Sequence, residues 1–404
     1  MPLIPLRFDR PQESATLYAM TGTPVRDSAF TPLKLGAALS LVGAVLFTLV
    51  AFTRERAPVD APWTEPVPVG FTTLSARGTN DPKRSIPVAA WYPATSGDAP
   101  RMRLGDYIAL ADSEGPARSP GARERFALPL MKSGAPRDEV ERWMNALLWA
   151  HRDAPPQSTR VPLVLLAAGN DESASDQAVL AETLASRGYV VVAAPFPTRI
   201  GTAPMASDED VARVAEAQAD DLASMVTALA TWPTVDTTRI AVIGHSFGAR
   251  AGLLLSMRDH RVRALVSLDG GIGSATGREA MRRAPSFDSK RRTAPILHVY
   301  ETLDAWMRPD RTLLQGLDST AVWLAATHEM HHHHFTSFGA VAGGYGAVQR
   351  ALGHTKGTAR EYAAVTALVV RFVDAHLRAG AFSDGATQGG IVVERLTPGS
   401  PRPE

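Results

Sequence analysis

Residues 240–255 read Ile240-Ala-Val-Ile-Gly244-His245-Ser246-Phe247-Gly248-Ala-Arg-Ala-Gly-Leu-Leu-Leu255. An apolar, β-branched run, a Gly-x-Ser-x-Gly turn and a helical run follow one another in this segment. A serine on such a strand-to-helix turn exposes its hydroxyl at the edge of a sheet, and glycines flank it because side chains there would collide with neighbouring backbone. The segment therefore predicts a nucleophile elbow, with Ser246 as the nucleophile and a helix N-terminus beside it.

Similar apolar runs lie on both sides of this segment, and helical patterns separate them. The predicted strands are Ile86–Trp91, Val161–Ala167, Tyr189–Ala194, Ile240–Ile243, Ala264–Leu268, Ile296–Tyr300 and Val322–Ala325. The predicted helices are Gln177–Arg187, Glu209–Trp232 and Arg360–Arg378. Continuous apolar strands that alternate with helices are typical of a parallel sheet covered on both faces. We therefore predict an α/β protein, with a mostly parallel central sheet and a folded body at 69–380.

One stretch, residues 95–160, does not follow the alternation. Its first part is rich in glycine and proline, and its second part has an apolar periodicity that predicts an amphipathic helix over Asp138–Arg152. We interpret the stretch as an insertion between early strands. Two places for this helical insertion remain open, since it could pack on the sheet or form a cap over the active site.

The composition excludes several classes of protein. The chain has 404 residues, of which 45% are hydrophobic, and this is enough for a sizeable core. Because 42 Lys and Arg face 41 Asp and Glu, the formal net charge is +1, and the basic field of a non-specific nucleic-acid binder is missing. The chain has no cysteine, which excludes disulfide scaffolds, thiolate metal sites and a cysteine nucleophile.

An uncharged apolar run, residues 35–52, lies near the N-terminus. As a helix it rises roughly 27 Å, close to the ~30 Å hydrocarbon thickness of a bilayer, so we predict an uncleaved membrane anchor at 34–53 after an N-terminal segment at 1–33. More Lys and Arg precede the run than follow it, which favours an extracytoplasmic body. Residues 54–68 are Pro-rich and indicate a linker, and 381–404 form a C-terminal tail. The flanking basic residues are Arg7, Arg10, Arg26 and Lys34 before the run and Arg54 and Arg56 after it.

A serine nucleophile needs a base, and the base needs an acid to orient it. Asp269 and Asp304 each follow a predicted strand after Ser246, and spacing alone favours Asp304. A zinc site is not expected, because adjacent histidines in an extended segment point in opposite directions and no cluster of carboxylates accompanies them. Five histidines after the last predicted strand compete for the role of base: His328, His331, His332, His333 and His334.

Three motifs together resemble a known family. They are Gly-His-Ser246-Phe-Gly-Ala, Ser-Leu-Asp269-Gly and His332-x-x-Phe-Thr-Ser. They are similar to the platelet-activating-factor acetylhydrolase and dienelactone-hydrolase-like branch of the α/β-hydrolases, and the segments 81–93 and 180–192 are similar to its opening hairpin and its helix-to-strand passage. The resemblance covers roughly 69–380, and it implies an α/β-hydrolase fold with Asp269 as the acid and His332 as the base.

Such a site also needs an oxyanion hole, made of the backbone N–H of Phe247 and a second N–H from the loop after Val161–Ala167. Ala168-Gly169 stands where related enzymes often have His-Gly, which makes Asn170 the expected second donor. A carboxylate facing a developing oxyanion would be unfavourable. We therefore expect Asp171 and Glu172 to point to solvent or to the insertion.

These features predict a serine hydrolase that cleaves carboxylic esters through an acyl-enzyme. The expected partner is a small-molecule or lipid ester, and the resemblance implies a short acyl group. No cofactor, metal or nucleic acid is expected. Two other interpretations remain: a non-catalytic ligand-binding protein on the same scaffold, and an acyltransferase or peptidase with the same residues.

Overall fold

The computed structural model describes residues 67–96, 98–115, 121–291, 293–304, 307–317, 320–341, 343–378, 380–383, 385 and 387–396. The predicted N-terminal segment at 1–33, the predicted anchor at 34–53 and most of the predicted linker lie outside these residues. Among the helices of the described residues, none combines the length and the hydropathy that crossing a membrane requires.

Strands and helices alternate along most of the described chain. The strands are β1 Val69–Arg77, β2 Ser85–Pro93, β3 Arg101–Arg103, β4 Leu147–Arg152, β5 Val161–Ala167, β6 Val190–Ala194, β7 Val235–His245, β8 Val262–Leu268, β9 Ile296–Glu301, β10 Val322–Thr327, β11 Thr387–Gln388 and β12 Ile391–Arg395. The α-helices are α1 Leu104–Leu110, α2 Ala122–Lys132, α3 Arg137–Met144, α4 Ala178–Ser186, α5 Asp208–Leu229, α6 Gly248–Arg258, α7 Ala275–Arg283, α8 Thr312–Gln315, α9 Gly346–Ala351 and α10 Thr358–Leu377.

The strands of the described residues form one sheet in the order β11-β12-β10-β9-β8-β7-β5-β6-β2-β1-β4-β3. The six neighbours from β10 to β6 run parallel. β2 is antiparallel to both β6 and β1, and β12 is antiparallel to β10. The predicted α/β class with a mostly parallel central sheet is therefore confirmed.

Both faces of the sheet are buried. Along β5, Val164 and Leu166 belong to one apolar core, while Leu163 and Leu165 belong to the other. The first core includes residues of α1 to α4 and α10, and the second includes residues of α5 to α8. This arrangement explains why the central strands are apolar without alternation, since each residue faces a layer of helices rather than solvent.

The prediction of a single helix over Asp138–Arg152 is wrong. The helix α3 ends at Met144, and Leu147–Arg152 form β4, which pairs in parallel with β1. The carboxylate of Glu182 on α4 accepts hydrogen bonds from the backbone N–H groups of Trp149 and Ala150, at 2.7 and 3.1 Å. Pairing with the sheet and with this carboxylate replaces the hydrogen bonds of a helix, so tertiary contacts override the local helical periodicity. The insertion thus extends the sheet at its edge as well as covering one face.

Candidate active site

The carboxyl ends of neighbouring parallel strands bring the predicted site residues together. Ser246 directly follows β7, and Asp269 directly follows β8. The loop that carries Asn170 follows β5, which lies on the other side of β7. His332 begins a short 3-10 helix, His332–Phe335, a few residues after β10 ends.

Ser246 lies in a tight turn between β7 and α6. Its φ angle is 51°, in the left-handed region that L residues rarely adopt. A non-glycine residue in this conformation carries a backbone strain on the order of 1–3 kcal/mol. The backbone is fixed there, because Ser246 N donates to Leu268 O at 3.0 Å and Gly271 N donates to Ser246 O at 2.8 Å. A Cβ atom on Gly248 would lie 2.0 Å from the carbonyl oxygen of Ala167, so this position requires glycine, for the reason that the sequence predicted.

The imidazole of His332 lies between the hydroxyl of Ser246 and the carboxylate of Asp269. Its Nε2 is 2.9 Å from Ser246 Oγ, and its Nδ1 is 2.5 Å from Asp269 Oδ2. The other carboxylate oxygen of Asp269 accepts a hydrogen bond from Glu301 N at 3.2 Å, and the side chain is 4% exposed. A carboxylate in this position holds the proton on Nδ1 and leaves Nε2 able to accept a proton from the hydroxyl.

The structure brings Asp269, and not Asp304, to His332. Asp304 is half exposed, and its carboxylate lies 3.2 Å from Nδ1 of His331. The remaining histidines also have other neighbours: His328 contacts Thr302 Oγ1 at 2.8 Å, while His333 and His334 both donate to the carbonyl oxygen of Leu352, at 2.8 and 2.7 Å.

The two predicted oxyanion donors are backbone N–H groups in the turn after β7 and in the loop after β5. Phe247 precedes the first residue of α6, and Asn170 lies in the loop after β5. Within the described residues, neither N–H donates to a backbone acceptor. The loop is held in place by Gln218 on α5, whose Nε2 donates to Ala168 O at 2.8 Å. The N-terminus of α6 adds a positive potential to this region.

The expectation for Glu172 is wrong, while Asp171 behaves as expected. Asp171 is 56% exposed and lies beside Arg199. Glu172 is 13% exposed and turns inward, where its carboxylate accepts hydrogen bonds from His245 Nδ1 and from Gly169 N, the latter at 2.6 Å. The physical reason is that a buried imidazole, which the sequence did not reveal as its partner, offsets the negative charge.

The pKa shifts of Glu172 and His245 show how strongly the two groups interact. Burial alone would raise the pKa of Glu172, but the charge of His245 and the hydrogen bonds from His245 and Gly169 outweigh burial, and the pKa is lowered. Burial alone would lower the pKa of His245, but the charge and hydrogen bond of Glu172 raise it. Each group thus favours the charged form of the other.

Sequence reasoning missed Glu114, a buried carboxylate of the insertion. It accepts hydrogen bonds from Ser173 Oγ at 2.7 Å, from Ala174 N at 2.8 Å and from Arg199 Nε at 3.2 Å. The insertion therefore contacts the loop that carries Asn170. No local signal marks this residue, since its partners lie about 60 residues or more away in the chain.

In the described ranges, no group of three or more metal-ligating side chains is present.

Comparisons with known proteins identify the family and the fold of this chain. The sequence model described as the dienelactone hydrolase family matches residues 150–362, which is more than half of the chain. Among solved structures, the chain is similar to a ferulic acid esterase from Streptomyces cinnamoneus, with 22% sequence identity and a TM-score of 0.59 over 84% of this chain and 99% of that chain. At this level of identity the likeness concerns the fold. No curated protein matches the sequence.

Proposed function

Because this chain belongs to the dienelactone hydrolase family and is a carboxylic ester hydrolase, we propose that Ser246, His332 and Asp269 are its catalytic triad. The observation that carries the proposal is the 2.9 Å approach of His332 Nε2 to Ser246 Oγ, together with the carboxylate of Asp269 on the opposite ring nitrogen. The base is thus within hydrogen-bond reach of both the nucleophile and the orienting acid, as a serine hydrolase requires.

The reaction proceeds in two halves on this geometry. Ser246 Oγ attacks the acyl carbon while His332 Nε2 takes its proton, and the N–H groups of Phe247 and Asn170 stabilise the oxyanion. His332 then gives the proton to the leaving alkoxide oxygen, and the acyl group remains on Ser246. A water molecule, deprotonated by the same imidazole, attacks the acyl carbon of the acyl-enzyme. The bond from that carbon to Ser246 Oγ then breaks, His332 returns the proton to Oγ, and the carboxylic acid leaves. Asp269 stabilises the imidazolium in both halves.

The proposed substrate is a small-molecule ester with a short acyl group. The similar Streptomyces protein is named as an esterase of ferulic acid, so a feruloyl ester belongs in the same panel as acetyl, butyryl and long-chain esters. A rate that falls steadily as the acyl chain lengthens supports the short-acyl proposal. A preference for long-chain or feruloyl esters would replace that part of the proposal and leave the triad untouched.

The body is proposed to be extracytoplasmic and tethered through residues 34–53. The support is the uncharged run between Lys34 and Arg54 and the larger number of basic residues before it. Fractionation of cells that express the full chain should find the protein in membranes after a carbonate wash, and protease added outside the cytoplasmic membrane should digest the body. Recovery in the soluble fraction would refute the tether.

Substitution of the nucleophile tests the proposed function. Ser246→Ala should lower kcat for p-nitrophenyl acetate by about 10⁴- to 10⁶-fold, because no other group in the site replaces the attacking oxygen. The melting temperature should change little or rise, since the substitution removes only the hydroxyl of Ser246 and leaves the turn intact. Turnover that is unchanged in this variant would overturn the proposal.

A further inference from the structure

Glu172 and His245 form a second carboxylate–imidazole pair beside the proposed triad. The side chain of His245 is 2% exposed, and its ring centroid lies 4.9 Å from that of His332. His245 is the residue immediately before Ser246, and Glu172 lies two residues after Asn170. The proposed mechanism gives this pair no chemical step.

Both ring nitrogens of His245 face acceptors. Nδ1 faces the carboxylate of Glu172, and Nε2 lies 3.1 Å from the backbone carbonyl oxygen of His332. A carbonyl oxygen can only accept a hydrogen bond, so Nε2 carries a proton, and the bond between Nδ1 and the carboxylate holds a second one. His245 therefore has no nitrogen available to take a proton from a substrate.

The pair connects three parts of the proposed site. The second oxygen of Glu172 accepts from Gly169 N at 2.6 Å, next to the Asn170 donor. A Cβ atom on Gly169 would lie 2.7 Å from Glu172 Oε1, so glycine at 169 is what lets the carboxylate approach the loop. Through His245, the same carboxylate is linked to the turn of Ser246 and to the backbone of His332.

We propose that Glu172 and His245 are positioning residues. They fix the positions of the Asn170 loop and of the His332 backbone relative to Ser246. The inference rests on the proposed function, because it assigns a purpose to contacts around that triad. A small displacement of a base or an oxyanion donor reduces the stabilisation of the transition state more than it reduces the binding of the substrate. Loss of the pair should therefore reduce kcat and leave KM nearly unchanged.

Truncation and conservative replacement of Glu172 test the proposal. Glu172→Ala removes both hydrogen bonds and should lower kcat, per active site titrated with a fluorophosphonate, by about 10- to 100-fold with little change in KM. Glu172→Gln should recover most of that loss. Its carbonyl can accept from Gly169 N–H, its amide can donate to His245 Nδ1, and the remaining proton of His245 can still reach the His332 carbonyl.

Glu114 supplies a matched control. It is another buried carboxylate, but its partners Ser173 and Ala174 lie after Glu172 in the loop and not beside Asn170, and its hydrogen bonds do not involve His245 or His332. Glu114→Ala should lower the melting temperature, while kcat per titrated site stays within about threefold of the wild type. Equal losses of kcat in Glu114→Ala and Glu172→Ala would refute the inference, as would a Glu172→Gln variant no better than Glu172→Ala.

A spectroscopic readout separates this inference from the proposed function. The wild-type protein should show two imidazole N–H proton resonances far downfield, one for His245 with Glu172 and one for His332 with Asp269. Glu172→Ala should abolish the first and retain the second, and Glu114→Ala should retain both. These resonances need no substrate, so a wild-type protein that hydrolyses no ester would end the proposed function without affecting this test. Retention of both resonances in Glu172→Ala would refute the pair itself.

Discussion

The pairs Asp269–His332 and Glu172–His245 are made of the same two chemical groups at the same edge of the sheet. They differ in what the outer ring nitrogen faces. Nε2 of His332 faces the hydroxyl of Ser246, which can give up a proton, whereas Nε2 of His245 faces a carbonyl oxygen, which cannot. The group that faces Nε2 of the imidazole therefore determines whether such a pair can transfer protons or only fix positions.

The largest expected difference between the two pairs is in catalysis. Asp269→Asn should lower kcat by about 10⁴-fold, because an amide can donate to Nδ1 and so favours the tautomer with the proton on Nε2, where it blocks proton transfer from Ser246. Kinetics with a model ester measure the loss.

Asp304→Asn is the matched control for that substitution. Asp304 contacts His331 instead of His332, so the variant should retain kcat within about threefold. A large loss in Asp304→Asn with a small one in Asp269→Asn would reverse the assignment of the acid.

Glu182 is a buried carboxylate that has no imidazole among its hydrogen-bond partners in the described part of the chain. It accepts hydrogen bonds from Tyr107 OH at 2.7 Å and from the N–H groups of Trp149 and Ala150. Burial raises its pKa to about 7, despite these three donors, whereas the pKa of Glu172 is lowered. The three hydrogen-bond donors of Glu182 therefore do not offset the cost of burying its carboxylate, whereas the charge and hydrogen bond of His245, with the N–H of Gly169, do so for Glu172.

Glu182→Gln turns that contrast into a stability measurement. The pKa of Glu182 is about 7 in the folded protein, against 4.5 for an ordinary glutamate. Between pH 4.5 and 7 the folded state therefore binds a proton on Glu182 that the unfolded state does not bind. Stability conferred by Glu182 is therefore lost as the pH rises from 4.5 through 7, by roughly 3 kcal/mol. Urea denaturation at about pH 5 and about pH 8 should show a smaller decline in Glu182→Gln than in the wild type. Parallel declines in the two proteins would contradict the assignment.

The sequence predicted most of the central fold, because local signals were strong there. Val161–Ala167 was predicted with the bounds that β5 has, since a fully apolar run between turn residues has few alternatives. The segment 147–152 was assigned to the wrong element because its apolar residues fit a helix locally. Its strand structure depends on β1 and on Glu182, which are remote in the chain and leave no mark in the segment itself.

The candidate site also contains residues that the local sequence predicts and residues that depend on remote contacts. Ser246 could be predicted from a local motif, because the turn itself requires the flanking glycines. Asp269 and His332 came from the resemblance to a family, since five neighbouring histidines are equivalent by composition. The inward turn of Glu172 could not be predicted, because its partner His245 lies 73 residues away and only folding brings the two together. A carboxylate near an oxyanion hole is unfavourable only when it is unpaired.

Identification of the residue modified by a fluorophosphonate tests whether the Ser246 hydroxyl is the activated nucleophile. The full chain is treated with the reagent and digested, and the adduct is located by tandem mass spectrometry. We predict stoichiometric modification of Ser246, loss of esterase activity in proportion to labelling, and no adduct in His332→Ala under the same conditions. An adduct on another residue, or inactivation without modification of Ser246, would contradict the proposed mechanism.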